Sequence, residues 1–448
     1  MRYRDMRYRH LERVRILRFH RTRAVAFLAL LVLALNAAFA SAASQPTGKI
    51  VVVNWQGWSN PTSAAYQEAL EAFRAAYPGI EVDSRRITSG EFNDQVIAMM
   101  AAGLTPDVTW MEPGRVASWG VDRGWLADLT PYIERSGINL SEYIMGASMY
   151  PLRFSEGKVY GLAVETFAYI FYYNKDHYQE AGLAFPTRGW TWDDFLQNAI
   201  RLTRPDLNRW GYQVSTSSTR TRPWVWQGGG DWWNPENLDE FMWHLPESMI
   251  GLQFLADLMH VHRVAPTLEQ FNADNTLRFS TGRVSMQHEG VNAIPGPSSQ
   301  PWPFAWGPAV PPRGPGGEAA SVNMEGFAIF EASENKDAAW AWIEWWLSDE
   351  GQRRLAEFGR LPAKLSAMRD YSYLHLEPAL RDELQGVLAV LPEIGRDKLE
   401  PAGNNARQPF NQQLDKVWSG EQTVQQAVDA SIEASRAIHE AFLTSRQR

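Results

Sequence analysis

The sequence has no cysteine among its 448 residues. A disulfide framework is therefore excluded, and so is the lipid-modified cysteine that tethers some secreted bacterial proteins to a membrane. Thiolate ligands for a metal are missing as well. His260 and His262 do not supply an alternative, because residues two apart cannot share a helix face as the i, i+4 ligands of a metal motif do. We expect no metal and no cofactor.

Long apolar runs are also missing beyond the N-terminus. Residues 1–23 hold nine arginines and two acids, Ala24–Leu35 is uninterrupted apolar sequence, and small residues follow. This order predicts a secretory signal peptide over residues 1–42, cleaved after Ala40 or Ala42. The alternative is a membrane anchor, but the apolar run is shorter than the ~20 residues that cross a bilayer. We expect the mature protein in the periplasm.

Positive charge is scarce in the part of the chain that would remain after cleavage. The whole chain has a net charge of −8, and loss of the signal peptide, with nine arginines and two acids, would make it −15. An acidic protein is a poor partner for nucleic acid or for anionic lipid. About 400 remaining residues predict two domains by the usual size of a domain.

Repeats and the common catalytic motifs are absent. The lack of an internal repeat argues against a structural or adhesion protein. There is no nucleophile elbow, phosphate-binding loop or metalloprotease helix motif. A secreted glycoside hydrolase stays an alternative, but it needs two carboxylates at a set separation, and no such pair stands out. We therefore predict a binding protein and not an enzyme.

What the sequence does contain is an alternation of strands and helices. This order predicts an α/β fold with a parallel sheet, whose ligands bind outside the carboxyl ends of the strands. A second α/β region is predicted after Tyr160. The expected strands are 50–53, 80–87, 106–110 and 169–173, and the expected helices are 61–77, 91–102, 192–203, 333–354 and 422–444.

Tryptophan is abundant, with 20 residues. A sugar offers C–H faces and a rim of hydroxyls, so its site needs flat aromatic rings with side chains that make paired or charge-assisted hydrogen bonds. The segment Trp224–Trp233 supplies both and includes a glycine triplet that would let the backbone approach a ligand. Its candidate ligand contacts are Trp224, Trp226, Asp231, Trp232 and Trp233, with packing in the small lobe as the alternative.

Loops after predicted strands supply further candidates. Trp55 and Trp58 follow the first strand, and Glu112 follows the third. For these residues the alternatives are ordinary packing or a solvated carboxylate. We expect Trp110 in the core, and the tryptophans at 340–346, which have helical spacing, in the core and on the surface of a lobe.

Several sequence blocks, in a fixed order, resemble the family 1 extracellular solute-binding proteins, the sugar-binding components of ABC importers related to maltose-binding protein. The match covers nearly the whole mature chain. The blocks are "FRAAYPGIEV" (73–82), "AAGLTPDVTWM" (101–111), "GWLADLTPYI" (124–133), "GKVYGLAVETFAYIFYYNKDHYQEAGLAFPTRGWTWDDFL" (157–196), "FSTGRVSMQHEG" (279–290), "WGPAVPPRGPGG" (306–317), "SENKDAAWAWIEWWLSDEGQRRLAEFGRLPA" (333–363) and "LDKVWSGEQTVQQAVDASIEASRAI" (414–438).

The resemblance implies a type II periplasmic-binding-protein fold, in which two α/β lobes are joined by three crossings. Those would lie near Leu162–Glu165, Trp306–Pro311 and Phe358–Pro362. The N-terminal lobe would then comprise 43–162 plus 308–358, and the C-terminal lobe 163–307 plus 359–448.

The resemblance also implies a hinge carboxylate at Glu165 that contacts sugar, with a structural ion pair as the alternative. Tyr169, Glu289, Glu325 and Arg360 lie near expected crossings or strand ends, and each could contact ligand or belong to the core or an ion pair. Family members often have a tryptophan just after the glycine of the "VSM" block. Here Val291-Asn292 follows Gly290 instead, and the Trp224–Trp233 segment is the expected substitute.

The function implied is capture of a mono- or oligosaccharide by hinge closure and its delivery to the membrane permease of an ABC importer. We expect a monomer that binds no nucleic acid. A polyamine, a peptide or a glycerol-phosphate conjugate stays open as the ligand.

Overall fold

The computed structural model describes residues 45–295, 300–397, 400–401 and 404–446. The predicted signal peptide, 1–42, lies outside the described residues. Among the residues that are described, no helix is long and apolar enough to cross a membrane.

The strands and helices follow the predicted order. The strands are β1 Gly48–Asn54, β2 Ile80–Arg86, β3 Val108–Met111, β4 Leu162–Asn174, β5 Trp210–Gln213, β6 Trp233–Asn234, β7 Asn237–Phe241, β8 Val284–Gly290, β9 Trp306–Ala309, β10 Ala320–Ile329, β11 Leu361–Pro362 and β12 Gly395–Arg396. The helices are α1 Ala64–Ala76, α2 Phe92–Ala101, α3 Pro113–Arg115, α4 Thr130–Ser136, α5 Lys175–Glu180, α6 Trp192–Leu202, α7 Ser218–Gly228, α8 Pro246–His260, α9 Leu268–Ala273, α10 Lys336–Leu347, α11 Asp349–Glu357, α12 Leu365–Tyr371, α13 Pro378–Leu388, α14 Leu391–Ile394, α15 Gln408–Trp418 and α16 Val424–Arg446.

Most strands form one sheet in the order β2-β1-β3-β10-β4-β8-β5, to which β9, β11 and β12 attach. At its two ends the pairing is parallel, between β1 and its neighbours β2 and β3, and between β5 and β8. In the middle the pairing is antiparallel, because β10 runs against both β3 and β4, and β4 runs against β8. The predicted α/β fold with parallel strands is confirmed, and the long antiparallel strands that join its halves were not predicted from strand patterns.

Local sequence signals explain where the main helices begin and end. Thr191 and Asp194 form a capping box at the start of α6, which leaves few unsatisfied backbone N–H groups there. The single helix predicted over 333–354 is two helices, α10 and α11. Ser348 separates them, because its extended backbone ends the first and its hydroxyl caps the second by accepting from the N–H of Gly351.

Two clusters of buried apolar side chains lie on the sheet. One contains Ile50 and Trp110, together with the tryptophans of α10. The other contains Phe171, Trp224 and Phe410. We call the part built on β1–β3 the first lobe and the part built on β5, β8 and α6–α8 the second lobe. Trp110 and the tryptophans of α10 are at most 5 % exposed, so the predicted packing in the core is confirmed, and none of these rings lies on the surface of a lobe.

The strands between the lobes define the junction on which the site depends. β4 pairs with β10 at Leu162–Ala168 and with β8 and β9 at Tyr169–Asn174. β9 therefore stays with the second lobe, and β10 is the strand that runs beside β4 through the junction. β11 joins the outer edge of β4 at Glu165 and Thr166. The domain boundaries given above stay a prediction.

Candidate functional site

A pair of carboxyl groups lies where β4 and β10 cross the junction. Glu325 is the direct partner of Glu165 in the antiparallel register, so both side chains leave the same face of the sheet. The register shifts between Glu325 and Gly326, which marks a β-bulge at this point. Bulges increase the local twist of a sheet and re-aim the side chains beside them.

Glu165 is held by Arg360, the residue that precedes β11. The guanidinium donates to both carboxylate oxygens, at 2.7 Å from Nη2 and 3.0 Å from Nε. Glu165 is fully buried, whereas the Arg360 side chain is 17 % exposed and lies over the ring of Phe167. A buried carboxylate needs such a partner, and the two predicted residues are therefore brought together as an ion pair.

Glu325 has neutral donors instead of an arginine. The indole N–H of Trp110 donates to its Oε2 at 3.1 Å, and the side-chain amide of Gln56 donates to the same oxygen. Burial, followed by the nearby charge of Glu165, raises the pKa of Glu325 to about 8, against its ordinary value of 4.5. The side chain is thus largely a neutral acid at pH 7.

The first lobe contributes an aromatic wall with one arginine. Trp55 follows β1 and is partly exposed, and the guanidinium of Arg115 lies 4.3 Å from the centre of its ring. Arg115 also pairs with Glu112 at 3.4 Å. Trp58 is directed to the core, where it stacks on Phe358 with ring centres 5.4 Å apart.

The second lobe contributes Tyr169, Arg220 and Glu289. Tyr169 on β4 is partly exposed, and the guanidinium of Arg220 lies 5.6 Å from its ring centre. Arg220, in the first turn of α7, forms a bidentate ion pair with Glu289 near the end of β8. Burial raises the pKa of Tyr169, so its hydroxyl is a neutral donor at physiological pH.

The Trp224–Trp233 segment is placed differently from the expectation. Residues up to Gly228 form the second half of α7, and Trp224, Trp232 and Trp233 are at most 2 % exposed within the core of the second lobe. The glycine triplet serves packing, because a Cβ on Gly230 would lie 2.3 Å from the hydroxyl of Ser248. The three rings therefore face neighbouring aromatic side chains and not a ligand.

Trp226 and Asp231 lie at a separate cavity of about 1000 Å³. Trp226 is 1 % exposed and its indole N–H has no hydrogen-bond partner in the described structure. Asp231 pairs with the buried Arg222 at 2.9 Å. The cavity is also lined by Tyr150 and Arg153, and the guanidinium of Arg153 donates to the backbone carbonyl of Pro235 at 2.6 Å.

Two smaller cavities flank the junction. One, of about 310 Å³, lies between first-lobe residues 112–115 and the segments around Glu400 and Asn404, and it shares Tyr150 with the larger cavity. The other, of about 700 Å³, is lined by Arg360, Asn292 and Tyr373, among others. We call Trp55, Glu112, Arg115, Glu165, Tyr169, Arg220, Glu289, Glu325 and Arg360 the junction cluster.

Sequence reasoning missed Gln56, Arg115 and Arg220. Gln56 directly follows Trp55, so its position after a strand was a usable signal. Arg220 and Arg115 are near in sequence to other candidates, but only the fold shows that they pair with Glu289 and Glu112. Among the described residues, no group of three His, Cys, Asp or Glu side chains is arranged to hold a metal ion.

Residues 57–353 match the family model of the bacterial extracellular solute-binding proteins. The chain belongs to this family. Among its relatives, an uncharacterised lipoprotein encoded in the oleD 5′ region of Streptomyces antibioticus is 25 % identical over 78 % of both chains. The erythritol/L-threitol-binding protein of Mycolicibacterium smegmatis is 23 % identical over 67 % of both. The mannitol-binding protein of Pseudomonas aeruginosa is 32 % identical over a shorter stretch, 27 % of this chain and 23 % of that protein.

Solved structures of similar proteins confirm the two-lobed fold. The cyclic α-maltosyl-1,6-maltose binding protein of Arthrobacter globiformis has a TM-score of 0.72 at 22 % identity, covering 88 % of this chain and 100 % of that one. The sugar-binding protein MalE of Xanthomonas citri also has a TM-score of 0.72, at 19 % identity, covering 89 % and 98 %. At these identities the likeness establishes the fold and leaves the ligand open.

Proposed function

We propose that this solute-binding protein captures a mono- or oligosaccharide between its lobes, at the junction cluster, and delivers it to the permease of an ABC importer. The observation that carries the proposal is the pair Glu165 and Glu325 on strands that run through the junction, with Trp55 on one side and Tyr169 on the other. A ligand held there contacts both lobes and the strands between them.

The side chains of the junction cluster suit a neutral polyhydroxyl compound. Trp55 and Tyr169 keep part of their rings exposed for the C–H faces of a sugar. Arg220, Arg360 and the carboxylates beside them supply charge-assisted hydrogen bonds for hydroxyl groups. These roles belong to residues from both lobes, as closure around one small ligand requires.

The pairing of charges argues against a polyamine. A polyamine needs carboxylates without cations, but three acids of the junction cluster each pair with an arginine. The pairs are Glu112–Arg115, Glu165–Arg360 and Glu289–Arg220. Glu325, the remaining acid, is largely neutral at pH 7 because burial raises its pKa to about 8. The cluster therefore offers little net negative charge to a cationic ligand.

The relatives support the same class of ligand. The names of two of them state that they bind mannitol and erythritol or L-threitol, which are sugar alcohols. One structural relative, from Listeria monocytogenes, was solved with cycloalternan. Another relative, from Sinorhizobium fredii, is named a probable amino-acid ABC transporter periplasmic-binding protein, so the ligand screen must include amino acids.

The mechanism we propose is hinge closure. Ligand binds one lobe, bridges to the other, and shifts the equilibrium toward the closed form that the permease recognises. The acidic chain works as a periplasmic monomer after cleavage of residues 1–42, and it leaves the bonds of its ligand intact. N-terminal sequencing of the secreted protein tests the cleavage.

Isothermal titration calorimetry against maltose, mannitol, erythritol, spermidine and a mixture of amino acids tests the ligand class. We expect heat of binding with a carbohydrate or sugar alcohol and none with spermidine. Recovery of the intact sugar by chromatography would separate a binding protein from a glycoside hydrolase. Binding of spermidine or amino acids alone would overturn the proposal.

Two variants test the location of the site. Tyr169→Ala and Arg220→Met should each weaken binding by at least ~1 kcal/mol, through loss of a ring face or of charge-assisted hydrogen bonds. Tyr132→Ala is the matched control, because Tyr132 packs on Trp340 beside Arg135 on α4. Unchanged affinity in both site variants would move the site elsewhere.

A further inference from the structure

We propose that Glu325 serves the ligand site as a protonated carboxylic acid, which donates its O–H to an acceptor oxygen on the ligand. This deepens the proposed function and rests on it for the ligand. It also makes binding dependent on one proton at a defined atom.

The first argument is a count of charges around Glu325. The acidic groups that face it are Glu165 on β4 and Glu112 at the end of β3, and Tyr169 on β4 is the nearby phenol. The cationic groups are Arg115 on α3 and Arg360 before β11. Arg115 pairs with Glu112, and Arg360 pairs with Glu165. These three carboxyl groups thus face two guanidiniums, and Glu325 is the one for which the described residues provide no ion pair.

The second argument is the position of Glu325 opposite Glu165. Two carboxyl groups that face each other across paired strands, mostly out of water, cannot both ionise without mutual repulsion. Arg360 binds both oxygens of Glu165 and fixes the negative charge there. Of the two carboxyls, Glu325 is therefore the one placed to hold a proton, and its raised pKa agrees with this placement.

The third argument is the arrangement of donors around the Glu325 carboxyl. Trp110 and Gln56 both donate to Oε2, so this oxygen acts as the acceptor. No hydrogen bond from the described part of the chain reaches Oε1. A proton on Oε1 leaves an O–H group that lies beside Gln56, in the loop that follows β1. A ring or hydroxyl oxygen of a sugar is a suitable acceptor for it.

The proton is tested first without ligand. In the full-length mature protein labelled with ¹³C at glutamate side-chain carboxyls, we expect one carboxyl resonance to titrate near pH 8 and to be missing in Glu325→Gln. Glu433→Gln, which removes an exposed carboxylate on α16, should leave that resonance in place. A wild-type spectrum in which every glutamate carboxyl titrates below pH 6 would overturn the proposal, and it needs no variant to fold.

Stability provides a second measurement on the same proteins. Because the folded state holds this proton and the unfolded chain releases it near pH 4.5, wild-type stability should fall between pH 4.5 and 8 relative to Glu325→Gln and then level off. Parallel curves for the two proteins would contradict a proton on Glu325.

Binding is then measured by calorimetry with maltose, mannitol and erythritol from pH 6 to 9.5. For the wild type we expect the Kd to rise about tenfold per pH unit above pH 8, since only the protonated form donates. Glu325→Gln keeps a neutral donor, so its Kd should stay constant over this range. A wild-type Kd that is constant to pH 9.5 would overturn the donor role. If none of the three compounds binds, the carbohydrate assignment fails, whereas the proton on Glu325 is decided by the ligand-free measurements.

Discussion

Replacement of Arg360 by methionine removes the cation that pairs with Glu165 on β4. Glu165 is fully buried, and both of its oxygens accept hydrogen bonds from Arg360 at 2.7 and 3.0 Å. Removing one partner of a buried pair leaves an uncompensated charge, which costs about 3–5 kcal/mol. The neighbouring Glu325 carboxyl offers no positive charge to replace it.

Arg135→Met is the matched control for this perturbation. Arg135 pairs with Asp337 at 2.8 Å, nearly the same distance, but the two side chains are 62 % and 70 % exposed. Exposed pairs contribute about 0–1 kcal/mol, because water screens both charges. Because the two ion pairs have nearly the same length, a difference in lost stability between the two variants can be assigned to burial.

Urea unfolding at pH 7 measures the free energy of unfolding for both variants. We expect a loss of about 3–5 kcal/mol for Arg360→Met and at most ~1 kcal/mol for Arg135→Met. Glu165→Gln combined with Arg360→Met should recover part of the loss, because the neutral amide is cheaper to bury. If the two single variants lose the same amount, the reasoning from burial is refuted.

Three further outcomes are expected from the packing and from the buried histidine. Trp224→Ala should lower the free energy of unfolding by about 3–5 kcal/mol, because the ring is 1 % exposed. A loss of sugar affinity with unchanged stability would show instead that Trp224 contacts the ligand. Gly251→Ala should destabilise the protein by at least ~1 kcal/mol, because the new Cβ would lie 2.1 Å from the carbonyl oxygen of Trp224. Gly386→Ala on α13 should instead stabilise it by about 0.5–1 kcal/mol, because the new Cβ meets nothing within 4 Å. Thermal unfolding measures both changes. Burial lowers the pKa of His288 to about 4, so as the pH falls the histidine of the unfolded chain is protonated before that of the folded protein. Wild-type stability should therefore fall between pH 6.5 and pH 4, by up to about 1.4 kcal/mol per pH unit. In thermal unfolding of His288→Gln, this loss should be absent.

The elements of the fold were largely predictable because they follow from local patterns. Strand and helix periodicities placed β1, β2, α1 and α6 within a few residues. The broken helix α10–α11 was missed, although Ser348 is a recognised N-cap residue, because the apolar pattern continues across it. The apolar periodicity predicted one continuous helix, but the N-cap at Ser348 ends the first helix and begins the second.

The candidate site was less predictable than the fold. Residue type and position after a strand selected Trp55 and Glu112, and position near an expected strand end selected Glu325; the structure places all three in one cluster. Residue type and the glycine triplet selected Trp224, Trp232 and Trp233, whose rings are buried. An aromatic residue that binds sugar and one that packs in a core have the same composition and the same apolar surface, so the sequence does not separate them.

The sequence by itself determined the alternation of strands and helices, the absence of cysteine chemistry and the family to which the chain belongs, because these depend on residue identity and order. Only the tertiary structure decided that Glu165 faces Glu325, that Arg360 pairs with the first, and that the neutral donors Trp110 and Gln56 bind the second. Those facts depend on strand register and on the exclusion of water. Each arises from residues more than 150 positions apart, whose charged and polar groups interact strongly only once the fold has brought them together out of solvent.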